Sequence, residues 1–343
     1  MGSRERATPA KAGRGSGLVL GFSIALVALG VGFVVLSPSR DNEANAAAAD
    51  VSVPVDGARA YKYLKQLCDL GPRPAGSAAN TRQRELVSKH FTANGAKVEE
   101  QPFSGRDPKT GAEVAMVNLI GKWNPSRRDR VVIGAHYDTR PFPDEEKIDS
   151  RRGLPFLGAN DGASGVALLM EIAHHLDKLP TPWGVDLVIF DGEELVYGGG
   201  QNQNGEYFLG SKAFARTYAL GVENRRIPYR YVAGLVLDMV GDSDLRIDQE
   251  RNSVDLAPGL VRDVWNVAKK LNVPAFRSRV GTAVLDDHLP MNDAGIPTID
   301  LIDFDYPHWH TSQDLPEKCS GKSLEQVGKV VTAWLAQPRR RTR

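Results

Sequence analysis

Sulfur is scarce in this chain of 343 residues, which has only two cysteines, Cys68 and Cys319. There is no C-x-x-C, so a thiolate zinc site is excluded. Other catalytic signatures are missing too. No G-x-S-x-G elbow is present, and no H-E-x-x-H. The Gly-rich stretch GGGQNQNGEYF (198–208) has glycine spacing near that of a phosphate loop but lacks the Lys and the Ser/Thr. It reads as a flexible loop. Charge of one sign is not in excess: 43 Lys and Arg stand against 42 Asp and Glu, a net charge of +1. No global field therefore argues for nucleic acid as a partner. No internal repeat is visible. Function has to be read from local groups of residues.

Long apolar runs are absent with one exception. GLVLGFSIALVALGVGFVVLS (17–37) carries no charge. At 1.5 Å rise per residue, about 20 residues span the hydrocarbon core of a bilayer. Before it stand Arg4, Arg6, Lys11 and Arg14 with a single acid, Glu5. By the positive-inside rule, residues 1–16 are a cytoplasmic basic segment and the remainder is exported. The span reads as a transmembrane anchor. The alternative is a signal peptide cleaved in the small-residue stretch ANAAAAD. Either way the main domain is expected outside the cytoplasm, membrane-anchored or secreted. Residues 38–56 read as a linker, 57–338 as one catalytic domain and 339–343 as a basic tail. Export makes a Cys68–Cys319 disulfide chemically possible, closing a loop of about 250 residues. Two free thiols are the alternative.

The exported part alternates two patterns. ARAYKYLKQLCDL and NTRQRELVSKHFTANG have helical periodicity, and so do three later segments at 162–179, 210–219 and 259–272. Between them VAMVNLIGKW alternates loosely, while RVVIGAHYD, GVDLVIFDGEE, YVAGLVLDMVGD and IPTIDLIDFD contain continuous apolar runs. Such runs suit strands buried on both faces. The expected fold is α/β, a single domain with a twisted, mostly parallel central sheet flanked by helices on both faces, preceded by the N-terminal transmembrane segment.

Each of those four runs ends in ionisable residues. His136 and Asp138 follow the first, Asp191, Glu193 and Glu194 the second, Asp238 the third, and Asp303, Asp305, His308 and His310 the fourth. In open α/β sheets, ligands bind at the carboxyl ends of strands. A fifth contribution comes from Asn160 and Asp161, ahead of an apolar helix, where Asp161 either caps the helix or holds a metal. Carboxylates gathered this closely stay ionised when a cation neutralises them. Oxygen and nitrogen donors without thiolate suit zinc with an open position; manganese or cobalt would also fit. A further carboxylate could then act as general acid and base. On the helix at 162–179, Glu171, His174 and His175 read as a half-exposed face.

At this point the motifs GAHYDTRP, GANDGASGVALLMEIA, LVIFDGEEL, LVLDMVGD, LDDHLPM with GIPTIDLI, and PHWHTSQD resemble, in order, the blocks of the zinc metallopeptidase family that joins bacterial aminopeptidases with glutaminyl cyclases. The resemblance implies Asp161, Glu194 and His310 as zinc ligands, Glu193 as proton-shuttling acid and base, and Asp238 and Asp286 as its hydrogen-bonded acidic partners. It implies Trp309 and His288 on the substrate side; shortly after the DGEE block, where the cyclase branch usually carries a Trp, the aromatic is Tyr197, taken as a further substrate residue. In the aminopeptidase branch a second metal would take His136 and Asp238, with Asp161 bridging. One zinc ion is expected for a cyclase and two for an aminopeptidase. The DDH and WHT blocks look more like a cyclase, which converts N-terminal Gln of peptides to pyroglutamate with release of ammonia. A zinc aminopeptidase acting on peptide N-termini is the alternative. A non-enzymatic ectodomain of the same fold is a minor one, opposed by the presence of every matched ligand.

Overall fold

The computed structural model describes residues 54–197 and 204–338. The expected membrane segment, the cytoplasmic segment, the basic tail and nearly all of the linker lie outside the described residues. Among the described residues no helix is long and apolar enough to cross a membrane.

Two helices open the domain. α1 (Gly57–Cys68) is capped by Asp56, whose side chain accepts from the Arg59 N–H, and α2 (Ala78–Ala93) by Ser77, which accepts from that of Asn80. A six-stranded sheet follows in the order β1 (Lys97–Arg106), β2 (Glu113–Trp123), β4 (Gly184–Phe190), β3 (Asp129–His136), β7 (Arg230–Asp238), β10 (Thr298–Ile302). The pairs β3–β4, β3–β7 and β7–β10 are parallel, whereas β1–β2 and β2–β4 are antiparallel. Three of the five pairs are parallel, in line with the expected mostly parallel sheet, and the two antiparallel pairs both involve β2. For β1–β2 the physical reason is connection length. A parallel pair needs a crossover, but β1 and β2 are joined by a tight turn. In that turn the Asp107 carboxylate accepts from the Lys109 and Thr110 N–H groups at 2.9 and 2.8 Å.

Burial follows the pairing. All seven residues of β4 are buried, as a central strand covered on both faces requires. β1 lies at the edge and alternates half-buried with exposed residues along most of its length. One face of the sheet carries α1, α2, α3 (Ala163–Leu176) and α8 (Gly321–Leu335), packed through Leu64, Phe91, Leu168 and Val327. The other face carries α4 (Leu209–Glu223) and α7 (His288–Asp293) through Phe190, Phe214 and Met291. Two short ladders complete the strands: β5 (Val196–Tyr197) with β6 (Asn204–Gly205), and β8 (Ile247–Gln249) with β9 (Phe276–Val280). Before β9 run α5 (Arg251–Leu256) and α6 (Pro258–Lys270).

α3 is the central helix, with twelve of its fourteen residues buried. Gly165 lets it approach the sheet: a Cβ there would stand 2.2 Å from the Leu237 carbonyl oxygen and 2.8 Å from the Ala135 Cβ. That closeness carries the start of the helix to the ends of β3 and β7. Of the expected half-exposed face of α3, His174 and His175 are half-buried but Glu171 is fully buried. Glu171 accepts from Arg59 Nε at 2.6 Å, from the Asp56 N–H at 2.8 Å and pairs with His175 Nε2 at 3.0 Å. Cys68 and Cys319 are buried free thiols rather than a disulfide, and burial pushes the Cys68 thiol up to about 12.

Candidate active site

The parallel half of the sheet aims its carboxyl ends at one rim. β3 delivers His136, the turn after β4 delivers Glu193 and Glu194, β7 delivers Asp238, the start of α3 delivers Asp161, and the loop after β10 delivers His310. Asp161, Glu194 and His310 each offer a ligand atom, and these atoms lie within 4.8 Å of one another. His310 Nε2 is 2.8 Å from Glu194 Oε1 and 3.4 Å from Asp161 Oδ2. His136, Asp161 and Asp238 form a second such set. There His136 Nε2 is 3.1 Å from Asp161 Oδ1 and 3.2 Å from Asp238 Oδ1. Asp161 belongs to both sets.

Other carboxylates hold this geometry from behind. Asp138 uses its two oxygens to accept from the N–H groups of Glu193 and Glu194, both at 3.0 Å, and so fixes the acidic turn. Asp314 does the same for Asn160 and Asp161 at 2.8 and 3.0 Å, and Tyr306 donates to it at 2.8 Å. Arg140, 2% exposed, donates its N–H to Glu194 Oε2 at 2.9 Å and its Nη1 to Oε1 at 3.0 Å. It also donates to both oxygens of Asp144, and Asp144 Oδ1 stands 3.2 Å from His310 Nδ1. A carboxylate behind a histidine is the arrangement that orients imidazole ligands of metals. Backbone strain collects here as well. His310 and Met239, the residue after Asp238, hold φ of 51° and 46°. Non-glycine residues keep such values where the surroundings enforce them.

Electrostatics separates the acids. Burial, reinforced by Glu194, Asp287 and Asp286, pushes the Glu193 carboxyl well above the usual range. Burial and the neighbouring Asp286 carry Asp238 up to about 7, against the pull of His136. Asp161 goes the other way: burial alone would raise it, but the two imidazoles outweigh burial and hold it low. Neighbouring acids whose affinities for protons diverge like this can take different roles, one a ligand and another a proton carrier.

In front of the acids is a cavity of about 330 Å³. Asp161, Glu193, Glu194, Asp238, Asp286 and His310 line its polar side, and Tyr207, Phe208, Leu285, Phe304 and Trp309 its apolar side. Trp309 stacks on His310 with ring centroids 3.9 Å apart.

Two expected substrate residues stand elsewhere. Tyr197 is absent from the cavity lining; its hydroxyl donates to Asp107 Oδ2 at 3.3 Å, because pairing of β5 with β6 turns it toward the β1–β2 turn. Tyr207 and Phe208 take the aromatic place instead. His288 is fully buried at the start of α7, with Nε2 3.4 Å from Glu250 Oε2 and Nδ1 3.9 Å from Asp300 Oδ2. It sits behind the cavity wall, to which the same block contributes Asp286. Of the acids and imidazoles that follow the fourth run, His310 alone is among the candidate ligands, whereas Asp300 within the strand joins Asp286 and His288 in a third set of buried donor atoms. Asp303 accepts from the Arg246 N–H at 2.7 Å, and Asp305 faces Arg277 and Arg279.

Arg140, Asp144 and Tyr207 escaped the sequence reading. The signal for the first two was weak: an Arg and an Asp four residues apart in a loop rich in Pro and acid. Asp300 had a clearer one, an acid inside the apolar run PTIDLI; it is fully buried in β10.

Comparison with known proteins completes the picture. Residues 118–335 match the model for peptidase family M28. A solved glutaminyl cyclase of Fimbriiglobus ruber is 42% identical, covers 84% of this chain and 97% of its own, and superposes with a TM-score of 0.80. A solved structure described as a leucine aminopeptidase precursor of Bacteroides thetaiotaomicron is 32% identical over 84% of this chain and 99% of its own, with a TM-score of 0.76. Among curated sequences, the glutaminyl-peptide cyclotransferase of Bothrops jararaca is 26% identical over 270 residues, 70% of each chain.

Proposed function

The chain belongs to peptidase family M28, and from that premise we propose that it is a zinc-dependent glutaminyl-peptide cyclotransferase-like enzyme acting on peptide N-termini. The observation that carries the reading is the buried set of Asp161, Glu194 and His310 beside Glu193 and an aromatic wall. The residues fit the metal. Two carboxylates and one imidazole are a donor set for catalytic zinc, and the Asp144 carboxylate behind His310 supplies its orientation. A single ion on Asp161, Glu194 and His310 is the reading preferred here. The greater likeness to the Fimbriiglobus cyclase supports it. His136 with Asp161 and Asp238 would hold a second ion, and that set is the specific observation favouring an aminopeptidase.

When bound, zinc supplies Lewis-acid polarisation of an amide carbonyl. The protein does the rest. Trp309, Phe304 and Tyr207 wall the cavity and hold the aliphatic stem of an N-terminal Gln, excluding water from its amide. Held there, the substrate's α-amine is positioned against its own side-chain amide carbon, so ring closure is intramolecular. Glu193 takes a proton from the α-amine and returns one to the departing nitrogen, which leaves as ammonia while the new C–N bond closes the ring. Burial together with Glu194, Asp287 and Asp286 raises the proton affinity of that carboxylate, which suits it to accept a proton and pass it on. No water is consumed.

The test is incubation with Gln-initiated and Leu-initiated peptides followed by mass spectrometry. Loss of ammonia from the Gln peptide without shortening is expected. Release of free leucine with an unchanged Gln peptide would replace this reading with the aminopeptidase one. The N-terminal run supports placing the domain outside the cytoplasm, anchored or secreted; recovery of the protein in the soluble cytoplasmic fraction would contradict that placement.

A further inference from the structure

His310 stands in the loop after β10 with a φ of 51°, a value that a non-glycine residue keeps only where its surroundings enforce it. The enforcement comes from three consecutive residues of the loop after β3. Asp144 Oδ1 stands 3.2 Å from His310 Nδ1. Glu145 donates its N–H to the His310 carbonyl oxygen at 3.1 Å. Glu146 accepts at Oε2 from the Ser312 hydroxyl at 2.6 Å and from the Ser312 N–H at 3.2 Å. The ring, the carbonyl and the backbone two residues further on are gripped together.

Glu146 is the unusual member. Glu145, Lys147, Ile148, Asp149 and Ser150 are all exposed, yet Glu146 is only 5% exposed. An acid in an exposed run ordinarily faces water, because burying a carboxylate is costly unless hydrogen bonds replace its hydration. Here they do. Oε1 accepts from the Ile148 N–H at 3.3 Å, and Arg152 Nε donates to the Glu146 carbonyl oxygen at 3.1 Å, which fixes its backbone. The bonds of the Glu146 carboxylate reach His310 through Ser312. On the far side of Ser312, Asp314 accepts from the N–H groups of Asn160 and Asp161. The stretch 310–314 is therefore fastened at Ser312 to the loop after β3 and at Asp314 to the residues that present Asp161.

We propose that Glu146 is a positioning residue for the metal centre: through Ser312 it holds the His310 backbone in place and so sets how tightly His310, Asp161 and Glu194 grip zinc. The inference rests on the zinc reading of that set and adds a support outside it. A ligand held in its binding geometry beforehand needs less ordering when the ion arrives, so affinity falls once the support is cut.

The experiment titrates the zinc-loaded full-length protein in detergent against a chelator of known affinity and follows urea unfolding of the same samples. Glu146→Ala is expected to lower zinc affinity about tenfold, the low end for residues behind a metal ligand. Ser312→Ala, which keeps the N–H, lowers it by a smaller factor. The double variant does no more than Glu146→Ala alone, because both cut one link. Glu146→Gln restores most of the affinity, since its amide oxygen still accepts from Ser312. With cobalt in place of zinc, the visible absorption of Glu146→Ala differs from the parent's, and that of Glu146→Gln matches it. Asp186→Ala, which weakens the fold at the other end of the sheet, leaves the affinity unchanged. Parent-like zinc affinity in folded Glu146→Ala, or in Ser312→Ala where the first variant does not fold, overturns the role of Glu146. An equal fall in Asp186→Ala does the same, since general destabilisation then accounts for it. A parent chain that holds no zinc overturns the zinc reading itself and the inference with it.

Discussion

At the scale of single residues, the adjacent pair Glu193 and Glu194 shows how environment divides labour. Both follow β4, and both have their N–H groups fixed by Asp138. Glu194 points at His310 and is neutralised by Arg140. Glu193 faces Asp286 and Asp287 without a guanidinium, so its carboxyl keeps its proton to higher pH. Glu193→Gln preserves shape and removes the proton carrier. Turnover is expected to fall by about 10²–10⁴-fold, with zinc content by elemental analysis unchanged; apo protein from this variant would contradict the division of roles. Asp144 acts one step further back. Asp144→Asn leaves all three candidate ligands in place but weakens the group that orients His310. Zinc affinity, titrated against a chelator, should drop by about ten- to a hundredfold.

At the scale of elements, α3 decides whether Asp161 meets β4 and the loop after β10. Gly165 is the contact point. Gly165→Ala pushes the helix away from Leu237 and Ala135 and is expected to cost about 1–3 kcal/mol in urea denaturation, as overpacking does. A stabilised or neutral variant would show that the helix has room to shift. The far side of α3 ties down α1 through Glu171. Burial alone would raise its carboxyl, yet His175, Arg59 and the Asp56 N–H outweigh burial and bring it from 4.5 to about 2. A lowered folded-state value contributes stability above about pH 4.5 and loses it as pH falls toward about 2. Glu171→Gln should therefore lower stability at neutral pH and flatten the acid limb of the melting curve in that window. An acid limb identical to that of the parent chain would remove Glu171 from the account.

At the scale of the whole molecule, function and stability occupy opposite ends of the sheet. The site crowns the carboxyl ends of the parallel strands. Near the amino ends of β3 and β4, a buried knot joins Arg130, Asp186 and Tyr231. Arg130 and Asp186 are 1% and 0% exposed, so removing one partner strands a buried charge. Asp186→Ala is expected to cost about 3–5 kcal/mol, while Asp161, Glu194 and His310 keep their zinc in whatever fraction stays folded. Loss of zinc in step with a folded, native spectrum would show that the two ends are coupled.

The parallel half of the fold and most of the candidate site were readable from residue order. A strand buried on both faces needs an unbroken apolar run, and each such run ended in acids or imidazoles, which brought out Glu193, Glu194, Asp238 and His310; Asp161 stood apart from those runs, ahead of an apolar helix, where capping and ligation read alike. β1 gave no such signal, because an edge strand of Lys, Glu, Gln and Ser needs no apolar run to pair. With β1 unseen, the antiparallel half went unread. Side-chain direction was likewise beyond linear order. Tyr197 and His288 sit beside the right motifs yet stand outside the cavity lining, one drawn to the β1–β2 turn and the other buried at the start of α7 against Glu250 and Asp300. Arg140, Asp144 and Tyr207 join the site because chain folding in three dimensions sets them against Glu194 and His310. Residue types and spacing dictate which chemistry a chain carries. Which side chains share a cavity depends on pairing and packing between segments far apart in the chain, and no local pattern encodes those distances.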